Sequence, residues 1–264
     1  MPSKGNPAES PLVTDKPKYR APALQKGLEI LETLARAPSP MPMSDISVAL
    51  GRSKNEIFRM LQVLEEHGYI ARNGDGYRLT NRLFALGMQQ PPMRDLLSAA
   101  LPEMHGLAEA TGQSCHLAVV SGGEMVVVAR VEAPGQLGFA VRVGYRRPLP
   151  ASASGRVLLA FQGAERTDAM LQQVDPAALA DAPGLAAELD RIRSAGHVEI
   201  DSRILAGVTD LSVPILTRGE AEAALTIPHV NIAGATASVA DVVVQLHRHA
   251  ERIAEALQPS SDGF

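Results

Sequence analysis

Between residues 23 and 37, apolar side chains recur at Leu24, Leu28, Leu31 and Leu34, with Ile30 beside them. This spacing puts them on one face of a helix, which Pro38 and Pro40 stop. Ser44 is placed to cap a short helix over 45–50, ended by Gly51. Ser53 and Glu56 then have the spacing of a capping box in front of a longer helix over Lys54–His67, closed by Gly68. In that helix Ile57, Leu61 and Leu64 form a stripe to bury, with Met60 alongside. Residues 69–72 and 77–79 flank Asn73-Gly74-Asp75-Gly76 and predict a hairpin. Three helices and a hairpin within about sixty residues predict a winged helix-turn-helix, because caps, stripe and turn all agree.

Beyond it, residues 83–88 predict a helix and Gln89-Gln90-Pro91-Pro92 breaks it, the natural domain boundary. Residues 93–110 predict one or two helices, interrupted at Pro102 and ended by Gly112. Strands are expected at 114–120, 125–131, near 138–143, and at 197–200, 209–216 and 221–227. Helices are expected at 155–161, 165–173 and 185–194. A final helix over 238–257 carries Val239, Val242, Val243, Leu246, Ile253 and Leu257 on one side. This mixture reads as an α+β or α/β domain. Residues 1–21, polar and Pro-rich, read as a disordered arm, and 259–264 as a tail.

Charge changes this picture. The chain totals −4, yet residues 1–90 hold twelve Lys and Arg against nine Asp and Glu, and residues 91–264 hold thirteen against twenty. A basic first part beside an acidic remainder suits a DNA-binding module joined to an unrelated sensing domain. No apolar run approaches the roughly 18 residues of a membrane span, and residues 1–20 lack the apolar core of a signal peptide. The only cysteine, Cys115, excludes an internal disulfide and fits a reducing, cytoplasmic setting. Within Ser114–Val120 it reads as a packed small hydrophobe.

The candidate chemistry lies first on the helix over 54–67. Opposite its apolar stripe stand Asn55, Phe58, Arg59 and Gln62, with Lys54 at the N-terminus. Arg59 can grip guanine and Asn55 adenine, Phe58 can touch a thymine methyl, and Lys54 suits phosphate. Arg52 in the preceding turn, and Arg72 and Arg78 around the hairpin turn, are placed to reach the backbone or minor groove. The competing reading is an ordinary solvated face, against which the exposed Phe58 argues. The role of Glu56 is open.

Three stretches, Leu24-Gln25-Lys26-Gly27-Leu28-Glu29-Ile30-Leu31, Leu50 through Leu61, and Gly68-Tyr69-Ile70 with Tyr77-Arg78-Leu79, resemble the IclR family of bacterial regulators. So do His116-Leu117-Ala118-Val119, Arg142-Val143-Gly144, Leu149 through Phe161 and Val213-Pro214-Ile215, giving a resemblance from about residue 22 to 258. It implies a winged helix-turn-helix over 22–82, a linker helix over 83–100 and a GAF-like effector-binding domain over 101–258. It further implies a homodimer or dimer of dimers on double-stranded operator DNA, controlling a catabolic operon, with no cofactor or metal. The implied effectors are small organic acids, aromatic compounds or sugar-derived metabolites. The implied effector positions are Ala153, Ser154, Asp201, Asp210, Thr226, Pro228 and His229.

Here the chain departs from the family pattern, which often has Cys or a small residue at Asp210 and Ser-Gly at Pro228-His229. Carboxylates accept but do not donate when ionised, so Asp201 and Asp210 point to a ligand with hydroxyl donors, possible rings included, while His229 and Ser154 could receive an acid. The alternative is that both aspartates are solvated loop residues. An enzyme is the rival class, but the chain has no Gly-x-Ser-x-Gly elbow, P-loop, Gly-x-Gly-x-x-Gly or His-Glu-x-x-His. Cys115 and His116, adjacent on a strand, face opposite ways and cannot pair. His247 and His249 diverge on their helix. A ligand-independent DNA binder, and a winged helix that binds protein or RNA, remain further alternatives.

Overall fold

The structure, a computed structural model, describes residues 21–134, 138–202, 205–230 and 238–258. The expected arm, apart from Ala21, and the expected tail lie outside them. The chain divides into two compact units, one running to Gln89 and the other starting at Gln90.

The first unit runs α1 (Pro22–Arg36), β1 (Met41–Pro42), α2 (Met43–Ala49), α3 (Lys54–Glu66), β2 (Ile70–Asn73), β3 (Gly76–Leu79) and α4 (Arg82–Met88). Ile30 and Leu34 of α1, Ile46 of α2, Ile57 and Leu61 of α3, Ile70 and Tyr77 form one buried cluster. In α3 these are the positions that a 3.6-residue period picks out, whereas on α1 the burial falls on Ile30 and Leu34 and leaves Leu24 and Leu28 of the expected stripe exposed. Ser53 caps α3 in a complete capping box with Glu56. Ser44 does not cap α2. Met41 and Pro42 pair with Tyr77 and Gly76 of β3, so the helix starts directly behind them with Pro42 as its cap residue, and the Ser44 hydroxyl donates to Asp45 at 2.9 Å. That pairing also explains Gly76, where a Cβ would lie 2.8 Å from the Pro40 carbonyl carbon.

The second unit opens with α5 (Pro91–Thr111). The stretch 83–100 is therefore two helices rather than one linker. Nor does Pro102 interrupt α5: its missing N–H orphans the Ser98 carbonyl, and both residues are exposed, so water can satisfy it. Next come β4 (Cys115–Ser121), β5 (Glu124–Val131), β6 (Arg146–Pro148), a single 3₁₀ turn (Leu149–Ala151) and α6 (Ala153–Ala160). The unit continues with α7 (Ala164–Leu171), α8 (Pro176–Ala180), α9 (Leu185–Ala195), β7 (Val198–Asp201), β8 (Val208–Thr217), β9 (Glu220–Val230) and α10 (Val239–Leu257).

The six strands form one antiparallel sheet in the order β6-β5-β4-β9-β8-β7. Alternation along the strands builds two cores. Cys115, Leu117, Leu211, Val213, Leu225 and Ile227 meet α5 and α10 on one face. Ala118, Met125, Val127 and Ala224 meet α6 and α9 on the other. The strand expected near 138–143 is irregular chain, and β6 takes the sheet edge beside β5 instead. Helix α8 was not expected. Helix α6 packs so tightly on the 3₁₀ turn that a Cβ on Gly155 would lie 2.2 Å from the Leu149 carbonyl oxygen. That contact sets the start of α6 against the sheet face carrying His116 and Thr226.

Candidate functional site

In the first unit, Lys54, Asn55, Phe58 and Arg59 are all exposed on α3. Phe58 keeps 40% of its surface open, a large apolar ring on an otherwise polar face. Arg78 on β3 is exposed too. The other two expected arginines have partners within the fold, although Arg72 is itself exposed. Arg52 is half-buried, lies 3.4 Å from Glu29 and has its Nε enclosed without a partner among the described residues. Arg72 donates twice to the Tyr77 hydroxyl, at 3.1 and 2.8 Å, and lies 3.9 Å from Glu65. Glu56 closes the capping box and lies 2.6 Å from Lys26. Those bonds hold its carboxyl down at about 2, the Lys26 hydrogen bond first among them. Its role is to fix the start of α3 against α1.

The second unit holds a partly open cavity of about 230 Å³ between the sheet, the start of α6 and the segment leading into β6. Met125, Phe139, Val141, Tyr145 and Ile200 supply apolar wall, while His116, Ser154, Thr226, Arg147, Asp201 and Asp210 supply polar groups. Ser154 Oγ lies 2.9 Å from Thr226 Oγ1 and 3.3 Å from His116 Nε2. Thr226 Oγ1 lies 2.7 Å from Ser212 Oγ. Burial holds the His116 imidazole down at about 4, so it is neutral at ordinary pH. Burial pushes the Asp210 carboxyl up, opposed by a hydrogen bond from Ser202 and the charge of Arg147. Arg147 itself is half-buried.

Both units have counterparts among known proteins. The profile described as "IclR helix-turn-helix domain" matches residues 23–74, and "Bacterial transcriptional regulator IclR C-terminal" matches residues 92–255. The chain belongs to the IclR family. Its relatives include the HTH-type transcriptional regulator KdgR of Dickeya chrysanthemi, 27% identical over 92% of this chain and 82% of that protein. XynR of Escherichia coli K12 is 30% identical over 73% of this chain and 79% of that protein. Among solved structures, an IclR homolog from Microbacterium hydrocarbonoxydans complexed with 4-hydroxybenzoate superposes with a TM-score of 0.75. It is 27% identical, and the match covers 89% of this chain and 98% of that one.

This IclR-family chain is thus a DNA-binding transcription regulator with an effector-binding C-terminal domain. Of the seven expected effector positions, Ala153, Ser154, Asp201, Asp210 and Thr226 line the cavity. His229 does not. With a period of two along β9, Thr226 and Pro228 share one face and His229 turns to the other, where it is buried with Nε2 unpartnered among the described residues. Pro228 has the right parity but is buried opposite Asp210 and stays out of the lining. Sequence reasoning missed His116, Tyr145 and Arg147. The alternation that set His116 opposite Cys115 could have flagged the first, whereas Tyr145 and Arg147 carry no local signal. No helix among the described residues is long and apolar enough to cross a membrane. Nor do the described residues include a group of three or more side chains able to hold a metal.

Proposed function

We propose that the chain binds symmetric operator half-sites as a homodimer in the bacterial cytoplasm, and that a small hydroxylated organic effector tunes this binding to control a catabolic operon. The observation that carries the effector reading is the cavity with apolar walls and polar groups gathered in two places. The Ser154–Thr226 hydroxyl pair, beside His116, forms one. Asp210, two residues along β8 from the Ser212 that bonds Thr226, forms the other, about 7 Å away at the usual strand rise. At about 230 Å³ the space lies below the range of about 300–1,000 Å³ typical of drug-sized ligands, which suits a single ring or a short chain. The related structure complexed with 4-hydroxybenzoate makes a single-ring hydroxy acid the first compound to try. Asp210, as an acceptor, would take the hydroxyl, with Asp201 beside it.

On DNA, Arg59 and Asn55 read base edges, Phe58 meets a thymine methyl, and Lys54 and Arg78 meet phosphate. Exposed Leu24, Leu28, Leu83, Phe84 and Leu86 on α1 and α4 support self-association. Fluorescence anisotropy with the gene's own upstream DNA, with and without hydroxylated aromatic acids, tests the reading. An effector should shift operator affinity about 5- to 150-fold. If no compound that binds the protein changes that affinity, the coupling fails. If Asp210→Ala leaves the affinity of a hydroxylated effector unchanged, the role of Asp210 as hydroxyl acceptor fails.

A further inference from the structure

His116, Ser154, Thr226 and Ser212 form a continuous buried chain of polar contacts, and three of the four, all but Ser212, line the cavity. His116 is only 4% exposed, and its Nδ1 is enclosed with no partner among the described residues. A neutral imidazole carries one N–H. On Nδ1, that hydrogen would be a buried donor without an acceptor, the kind of orphan folded proteins avoid most; on Nε2, it leaves only an unused lone pair. The hydrogen therefore sits on Nε2 and donates to Ser154 Oγ.

Proton counting then fixes the rest. Ser154, Thr226 and Ser212 own three hydroxyl hydrogens, and the two contacts among them use two. Ser212 is fully buried and outside the cavity lining, so its hydrogen must go to Thr226. The spare O–H belongs to Ser154 or Thr226 and has only the cavity to enter. The same end holds the N–H groups of Ala153 and Ser154, which lie in the first turn of α6 and have no helical acceptor. Only Gly155 among the first-turn amides is taken by the Ser152 cap. Donors with no acceptor among the described residues, at the positive end of a helix dipole, suit an anionic oxygen.

We infer that His116 is a positioning residue: by donating to Ser154 it turns the Ser154–Thr226 hydroxyl pair into a donor, so that this end of the cavity takes the carboxylate of a small organic acid. The inference rests on the reading of the cavity as the effector site. It places the acid at the hydroxyl end and leaves Asp210 to the ligand's own donor. The depressed His116 basicity keeps the ring neutral, so the arrangement persists across the physiological range.

Two experiments on the full chain test this. Long-range proton–nitrogen correlation spectra of the ligand-free protein should show His116 as the Nε2–H tautomer, unchanged from pH 8 to pH 5.5. An Nδ1–H tautomer, or an imidazolium at pH 5.5, overturns the inference, whatever any variant does. Calorimetry with benzoate, 4-hydroxybenzoate and pyruvate, each against its amide, should favour at least one acid tenfold or more. His116→Gln, whose side-chain amide can still donate to Ser154, should keep that preference, and His116→Phe should bring it near parity. Amides that bind as well as acids, or no acid binding at all, overturn the carboxylate assignment and leave the cavity's effector role standing. An acid whose affinity is untouched by both Ser154→Val and Asp210→Ala binds elsewhere, and that result removes the underlying reading instead.

Discussion

Lys26 Nζ lies 2.6 Å from Glu56 Oε1, joining α1 to the first turn of α3 across thirty residues of chain. The same carboxylate accepts from the Ser53 backbone N–H and hydroxyl at 3.3 and 2.9 Å. One acidic side chain thus fixes both the start of α3 and its seat on α1.

Ser53→Ala should destabilise the first unit by about 0.5–2 kcal/mol, and Glu56→Gln should lower its melting temperature as well. The Glu56 carboxyl is held at about 2 against an ordinary 4.5. A group depressed in this way stabilises the fold above its unfolded pKa and loses that contribution as pH falls through the folded one. The wild type's advantage over Glu56→Gln should therefore be complete at pH 7 and fade between about 4.5 and about 2. Urea melts across that range check it.

Arg59→Ala should weaken operator binding by about 1–3 kcal/mol while leaving affinity for random DNA nearly unchanged. Equal losses on both would remove Arg59 as a base reader. Arg52→Ala should differ in kind. Arg52 is paired with Glu29, so its loss should appear first as a lower melting temperature of the first unit.

Gly155→Ala forces a methyl against the Leu149 carbonyl. Either the 3₁₀ turn or the start of α6 must move, at a cost of about 1–3 kcal/mol. Because Ala153 and Ser154 sit in that first turn, effector affinity should fall together with stability. Calorimetry that finds stability lowered and affinity intact would show that the cavity does not depend on this junction.

Burial raises the Asp210 carboxyl above its ordinary 3.8. A carboxyl raised on folding contributes stability below its unfolded pKa and loses it as pH rises through the folded value. Asp210→Asn removes that loss. Its second unit should melt higher than wild type at pH 7, and the gap should close as pH falls toward 4. Scanning calorimetry at several pH values reads the difference directly.

What was legible in the sequence was local. The Ser53–Glu56 box, the Ile57/Leu61 stripe and the hairpin turn each lie within a few residues, and each formed as read. Ser44 failed as a cap because Met41 and Pro42 pair with a strand more than thirty residues later, which no nearby residue announces. Pro102 sits inside α5 because its side of the helix faces water, a fact of tertiary packing. The cavity divides the same way. Ser154 and Thr226 were placed by family resemblance, but that His116 meets Ser154 depends on how α6 lies across β4 and β9. His229 stays out of the cavity because the alternation of β9 turns it to the sheet face opposite Thr226.

Cys115 lies on β4 beneath α5, its Sγ donating to the Met104 carbonyl at 3.5 Å, and burial pushes its thiol up to about 12. Only a thiolate reacts readily with maleimides or disulfide reagents, so this sulfur stays silent until helix and sheet part. It is the chain's sole cysteine, and the unaltered protein therefore carries its own kinetic probe. The rate at which it is alkylated measures how often the effector domain opens, and a bound effector should slow that rate in proportion to how firmly it holds the domain shut.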